Sequence, residues 1–191
     1  MNPESTPLSP HDSLTLIATM IAQAKGTIQR NSFYFLLWGW VVALANVGMF
    51  AWASLGYAHP YLIWTITIPA WVITLIRVFR NRQRRSATTH FDRISGVLWM
   101  SFGIVIFTIV VFGFKLNYQI NPVILLISTL PTLVSGVILK FKPLMFGGAS
   151  FWIFGVLCFL VPFEYQPLVG AVAIITGYLI PGYLLRARRD S

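Results

Sequence analysis

Few side chains in this sequence could perform chemistry, and those few are far apart. There are three histidines (His11, His59 and His90), and no carboxylate or cysteine stands at metal-ligand spacing from any of them. The one cysteine, Cys158, lies in an apolar stretch, where a thiol is not activated as a nucleophile. A G-x-S-x-G elbow, a phosphate-binding glycine loop and a dinucleotide fingerprint are all missing. We therefore expect no enzyme activity, no catalytic residue, no cofactor and no metal ion.

Asn46 is the strongest polar group inside an apolar run, and it is a weak candidate for a ligand site. A carboxamide in hydrocarbon needs a hydrogen-bond partner, because an unpaired polar group is costly there. We expect that partner to be a hydroxyl on another helix. The contact would either hold two helices together or line a small polar cavity.

Three ionisable residues, His59, Lys115 and Glu164, are the other weak candidates for a ligand site. All three fall on the same side of the predicted topology, opposite to the other charges, and Glu164 is the only acid there. If the helix connections converge, Lys115 and Glu164 can form a salt bridge, or the three can form a small ligand site. The alternative is that they are independent, solvated loop charges.

Five arginines occur within nine residues, at Arg77, Arg80, Arg82, Arg84 and Arg85. A basic group near an anionic membrane surface contributes about 1 kcal/mol of attraction. We expect this cluster to contact anionic headgroups and to set the membrane topology. A phosphorylated ligand or an acidic partner is the alternative.

The elements that must position these residues are six long apolar runs without an internal charge. The runs are Ser32–Leu55, Tyr61–Ile76, Ile94–Phe114, Asn121–Leu139, Leu144–Pro162 and Pro167–Leu185. A membrane-spanning helix needs about 20 apolar residues. Only 10% of the chain is charged, whereas an average soluble domain has about 25%. The sequence therefore predicts an integral membrane protein in contact with the lipid bilayer.

The net charge of +9 could indicate a nucleic-acid partner, but the distribution of the charges argues against one. Thirteen of the 14 basic residues fall on one side of the predicted topology, and only Lys115 falls on the other. Lysine and arginine concentrate in the cytoplasmic loops of membrane proteins. We therefore expect both termini in the cytoplasm and no nucleic acid.

The segment before the first apolar run has the pattern of an amphipathic helix. Residues 1–8 are polar and predicted to be disordered, and apolar residues then recur at helical spacing over residues 9–30, at Leu14, Ile17, Ile21, Ala24 and Ile28. Thr15 and Gln23 lie on the opposite face. This helix is expected either to lie against the cytoplasmic membrane face or the bundle, or to dock a protein partner. Residues 186–191 are predicted to form a short basic cytoplasmic tail.

The arrangement of prolines, tryptophans and glycines is typical of three hairpins in series. Even-numbered runs begin near a proline, and odd-numbered runs carry a tryptophan followed by a glycine. A threefold repeat is one explanation, and the general frequency of these residues in membrane helices is the other. Pro69 and Pro131 lie deeper and should kink their helices. The predicted fold is an all-α bundle of six transmembrane helices over residues 31–185, preceded by a cytoplasmic amphipathic helix.

Three segments of the sequence resemble a family of small bacterial inner-membrane proteins with six spans. They are RNSFYFLLWGW at residues 30–40, LKFKPL at 139–144 and GYLIPGYLL at 177–185. The resemblance covers most of the chain from about residue 13 and implies six spans in the bacterial plasma membrane. That family has no established activity, so the resemblance implies no catalytic residue.

Two classes of function remain. The first is a non-enzymatic sensor or accessory subunit that acts through the cytoplasmic helix and the basic loop, together with a membrane or cytoplasmic protein partner. The second is a transporter or channel for a small neutral or lipid-like molecule, whose path would pass Asn46 and the bends at Pro69 and Pro131. A close-packed core around Asn46 favours the first class, and a continuous polar cavity favours the second.

Overall fold

The computed structural model describes the backbone of residues 10–83 and 90–190 and the side chains of residues 32–80 and 93–187. It is all-helical. The α-helices are α1 (Pro10–Ser54), α2 (Thr67–Gln83), α3 (His90–Val111), α4 (Ile120–Ile138), α5 (Lys142–Leu160), α6 (Gln166–Ile174) and α7 (Ile180–Asp190). Short 3₁₀ helices precede α2 (Pro60–Ile66), α4 (Gly113–Leu116) and α6 (Phe163–Tyr165), and a π-helical segment, Ile175–Leu179, joins α6 to α7.

Within the described residues, six helical stretches are long and apolar enough to cross a membrane, which is the number predicted from the sequence. They are Ser32–Ser54, Pro60–Arg80, Arg93–Val111, Ile120–Ile138, Lys142–Leu160 and Phe163–Ala187, called spans 1 to 6 below. Each coincides with one predicted apolar run to within a few residues. The architecture is therefore compatible with a multi-pass membrane protein.

The first helix is unusually long, because α1 continues without interruption through 45 residues. Residues 10–30 of the predicted amphipathic segment and the first span are parts of this one helix, and Ser9 lies outside the described residues. At 1.5 Å per residue, α1 is about 67 Å long, and residues 10–31 extend about 33 Å ahead of span 1. At the other end, α7 runs on to Asp190, so most of the predicted basic tail is helical. The predicted disordered residues 1–8 lie outside the described residues.

The best-packed part of the bundle is formed by α1, α4, α5, α6 and α7. The α4–α5 pair has the most extensive contact, and α1 packs against both α6 and α7. Glycines bring α4 and α5 close together: a methyl group added at Gly148 would lie 2.9 Å from the backbone nitrogen of Leu133. The predicted hairpin partners are all in contact, but the α4–α5 pair joins two different predicted hairpins. The grouping into three hairpins therefore stays a prediction.

Spans 2 and 3 lie at the edge of the bundle. Only 6% of the apolar stretch of each is buried, compared with 44% in span 4 and 56% in span 6. Tryptophans provide much of their attachment: Trp38 on α1 donates a hydrogen bond to Thr74 Oγ1 at 3.2 Å, and its ring meets that of Trp71 edge to face. Most of the surface of these two spans is therefore available for contact with lipid.

Proline accounts for the irregular backbone beside α2 and α7, whereas α4 continues through Pro131 as one α-helix. Pro69 lies in the first turn of α2, directly after the 3₁₀ segment, so the expected kink is replaced by a change of helix type between Ile66 and Thr67. Pro131 lies inside α4 and is buried. Pro181 follows the π-helical segment, and its missing N–H cannot bond the carbonyl of Gly177 one α-helical turn earlier.

Candidate functional site

The candidate site is a stripe of polar side chains on the core-facing side of α4, called the polar stripe below. It consists of Asn121, Ser128, Thr132 and Ser135, whose spacings of seven, four and three residues place them on one helical face. The three hydroxyl residues are at most 5% exposed, and Asn121 is half-buried. The stripe extends along about 21 Å of the helix. Three neighbouring elements contribute a polar group that faces it: Asn46 on α1, Trp99 on α3 and Tyr178 in the π-helical segment.

The amide end of the stripe joins α4 to α1 and α6. Asn46 is 2% exposed and donates a hydrogen bond to the carbonyl of Val42 at 2.9 Å. Asn121 Nδ2 donates to Asn46 Oδ1 at 3.3 Å, so the partner on another helix is an amide. The expectation of a hydroxyl partner was wrong. Gly170 on α6 packs against Asn46 from another side, because a methyl group added at Gly170 would lie 2.8 Å from Asn46 Oδ1.

A second pair of amides lies next to the first. Gln166, the first residue of α6, is 3% exposed and donates a hydrogen bond to Gln119 Oε1 at 2.8 Å. The thiol of Cys158 contacts the backbone oxygen of Gln166 at 3.7 Å. The beginnings of α4 and α6 are therefore linked through neutral side chains.

The middle of the stripe meets the π-helical segment at Tyr178. Ser128 and Thr132 donate their own hydroxyl hydrogens to the carbonyls of Ile124 and Ser128 in the preceding turn, both at 2.7 Å. Tyr178 is 6% exposed, and its hydroxyl has no hydrogen-bond partner among the described residues. Ser128 and Thr132 lie near this hydroxyl, but neither meets it at hydrogen-bonding geometry.

The far end of the stripe attaches α3 to the core. Trp99 Nε1 donates a hydrogen bond to Ser135 Oγ at 3.2 Å. The Trp99 ring also packs against Phe35 on α1, with the ring centres 5.8 Å apart, and faces Tyr178 at 6.4 Å. The amide, hydroxyl and indole groups along the stripe can hold helices together or bind a neutral molecule.

The three ionisable candidates do not come together among the described side chains. His59 is exposed, and its Nδ1 lies 3.1 Å from the hydroxyl of Tyr61. Lys115 lies 5.5 Å from the centre of the Phe114 ring. Glu164 is exposed in the 3₁₀ helix before α6, and no hydrogen bond or ion pair joins it to the other two. The geometry is that of separate charges on the loops.

The arginine cluster is only partly covered by the described residues. The guanidinium of Arg77 lies 3.6 Å above the centre of the Phe33 ring, which ties the end of span 2 to α1. Arg80 is exposed. The side chain of Arg82 and the whole of Arg84 and Arg85 lie outside the described residues. Arg77 thus has a contact within the protein in addition to the expected contact with lipid.

A groove of about 450 Å³ lies on the exposed side of α3, away from the polar stripe. It is lined by Arg93, Ile94, Val97, Leu98 and Ser101. Its lining is mostly apolar, and Arg93 lies at the edge of span 3. The groove therefore lies on the outer surface of the bundle, and Asn46 is not among its lining residues.

Sequence reasoning identified Asn46 but missed the residues that surround it. The spacing of the polar residues in span 4 was the available signal for the stripe. Gln119 and Gln166 gave none, because they stand at the ends of apolar runs, where polar residues are ordinary. Tyr178 looked like one more aromatic residue in an apolar run, and only the folded chain shows that its hydroxyl is buried.

No family model, curated protein or solved structure matches the chain. The resemblance of residues 30–40, 139–144 and 177–185 to small bacterial six-span proteins therefore stays a prediction.

Proposed function

We propose that this chain is a non-enzymatic membrane subunit, a sensor or an accessory protein, that works through the first part of α1. In this proposal the protein resides in the bacterial plasma membrane with both termini in the cytoplasm. The arginines at 77, 80, 82, 84 and 85 hold this orientation through anionic headgroups.

The observation that carries the proposal is the continuity of α1. The helix begins at Pro10, about 33 Å ahead of span 1, and ends at Ser54. A continuous helix transmits a rotation or tilt of one end to the other, because its backbone hydrogen bonds leave no hinge. The amphipathic segment is therefore mechanically joined to the bundle.

Such a movement would change the packing of the core at the buried part of α1. Ala43, Ala45 and Asn46 are at most 6% exposed, and Asn46 is bonded to α4 and enclosed by Gly170 of α6. A displacement of α1 would thus act on two other helices at one point. A partner that binds the amphipathic segment can sense or set the packing of the core.

Close packing around Asn46 also weakens the competing proposal of a transporter or channel. A solute path at this level would require Asn46 to separate from Gly170 or Asn121. One observation still favours that alternative, which is the run of neutral polar groups along α4 next to Pro131. In that case the substrate would be a small neutral molecule, because the stripe offers hydrogen bonds without charge.

Site-specific photo-crosslinking in native membranes tests the proposal. A photoreactive amino acid at Ile17, on the apolar face, should give one defined protein adduct, and the same group at Thr15, on the polar face, should not. Both variants keep the rest of the chain intact. Lipid adducts alone at both positions would contradict an accessory role.

The alternative has its own test. Proteoliposomes that contain the protein should show no faster swelling in glycerol than empty liposomes. Rapid glycerol entry that is abolished by Asn46→Leu would replace the subunit proposal with transport.

A further inference from the structure

We propose that a water-binding site lies in the core where Tyr178 meets α4, and that a water molecule there accepts the hydrogen bond of the Tyr178 hydroxyl. This hydroxyl is buried and lacks a partner among the described residues. Aromatic rings of Phe35, Trp99 and Phe151 pack against the Tyr178 ring, with ring centres 4.8 to 6.4 Å from its own. A hydroxyl left unbonded in such surroundings is strongly disfavoured.

The two nearby hydroxyls, on Ser128 and Thr132, can accept a further hydrogen bond but cannot donate one. Ser128 and Thr132 both use their hydrogens on carbonyls of α4. Both hydroxyls lie beside the Tyr178 hydroxyl, but neither forms a direct hydrogen bond with it. A water molecule resolves this, because it can accept from the Tyr178 hydroxyl and donate to Ser128 or Thr132.

The third partner proposed for the water is a backbone carbonyl that the proline in the same turn of α4 leaves without its helical donor. Pro131 has no N–H, so the carbonyl of Ile127 loses the donor that an α-helix would provide. In membrane helices such freed carbonyls are satisfied by neighbouring side chains or by ordered water. A water molecule that accepts one hydrogen bond and donates two has three partners, which is the usual number for a buried water.

The irregular backbone of the π-helical segment, which faces α4 at Tyr178, supports the same location for the water. Tyr178 belongs to the π-helical segment, in which the N–H of Ile180 bonds the carbonyl of Ile175 five residues earlier. Single π turns recur at functional sites in helices. Here the π turn and the proline-containing turn of α4 flank the same hydroxyl, since Thr132 directly follows Pro131.

Water-edited solid-state NMR of the full chain in proteoliposomes tests the site. The probe is water itself, and the signal is that of the ¹³C-labelled Tyr178 ring, identified by its disappearance in Tyr178→Phe. Magnetisation should pass from water to Tyr178 as early as to the exposed ring of Tyr183. It should slow several-fold in Ser128→Ala/Thr132→Val, and it should not change in Thr108→Val.

The control at Thr108 is matched, because that hydroxyl also bonds the carbonyl four residues earlier but lies exposed on α3. Slow transfer to Tyr178 in the unmodified protein would overturn the proposal in favour of a dry, direct contact. Fast transfer that survives Ser128→Ala/Thr132→Val would overturn the assigned partners. Burial of Cys158, measured by its failure to react with a maleimide, verifies that each variant is folded.

Discussion

Asn46 and Gly170 should be energetically coupled, because the structure has no room for an additional atom between them. A methyl group added at Gly170 would lie 2.8 Å from Asn46 Oδ1 and 3.2 Å from its Cγ. In Asn46→Ala both atoms are gone, and the methyl group enters the space that they occupied. The same substitution at Gly170 should therefore have opposite effects in the two backgrounds.

The size of the coupling follows from these contacts. Overpacking of a filled core costs about 1–3 kcal/mol, whereas replacing glycine by alanine in a helix favours folding by about 1 kcal/mol. Gly170→Ala should therefore cost roughly 0–2 kcal/mol in the unmodified protein and stabilise Asn46→Ala. Asn46→Ala alone should cost about 0.6–1.7 kcal/mol for its lost bond to Asn121. The predicted coupling is about 1–3 kcal/mol, or roughly 2–12 °C in the unfolding midpoint.

The chain carries its own reporter for this measurement. Cys158 is the only cysteine in the sequence, and it is fully buried in α5. A maleimide fluorophore should label it only when the bundle opens, so labelling during heating gives the unfolding midpoint of detergent-solubilised protein. The unmodified protein, the two single variants and the double variant complete the cycle.

Equal effects of Gly170→Ala in both backgrounds would refute the reasoning. Additivity within about 0.5 kcal/mol is the behaviour of independent sites. It would mean that Asn46 does not face α6 and that the amide end of the polar stripe is assembled differently.

Three further substitutions, two of them paired with a matched control, should give ordered effects in the same labelling assay. Gly148→Ala should destabilise by about 1–3 kcal/mol, because its methyl group would meet the backbone of α4, whereas Gly96→Ala, in open space, should not destabilise. Trp99→Phe should cost about 0.6–1.7 kcal/mol through the lost indole bond to the serine on α4. Arg77→Gln should cost about 0.5–1 kcal/mol by removing its cation–π contact, and Arg80→Gln should cost less. An inverted order within either matched pair, or an unchanged midpoint in Trp99→Phe, would contradict the packing described above.

The six spans could be predicted because lipid imposes the same local demand on every one of them. Backbone groups in hydrocarbon must bond within their own helix, and charged side chains are excluded from its middle. Both demands appear directly in the sequence as uncharged apolar runs. Gly39, Gly147 and Gly170 all lie at tight helix contacts, as small residues commonly do in membrane helices.

The packing of the spans could not be predicted, because side chains that face lipid and side chains that face the core are equally apolar. Leu144 is completely buried and Phe146 is 74% exposed, although they stand two residues apart in the same run. Hydrophobicity therefore did not reveal that α4 and α5 form the main contact or that spans 2 and 3 lie at the edge.

The residues of the polar stripe are also joined across long stretches of chain. Asn46 and Asn121 are 75 residues apart, and nothing in either neighbourhood indicates the other. The π-helical segment had a weak signal in Pro181, but a proline at that point is equally compatible with a regular first turn. Such features depend on the tertiary contacts of the whole bundle.

Cysteine mapping in intact cells decides whether α1 connects a cytoplasmic segment to a bundle that crosses the membrane. In a Cys158→Ala background, single cysteines replace Ile17, Arg82 or Glu164, and the cells are treated with a maleimide that does not cross membranes. We expect labelling at 164 in intact cells and labelling at 17 and 82 only after permeabilisation. Labelling of 17 or 82 from outside, or protection of 164, would contradict the proposed orientation.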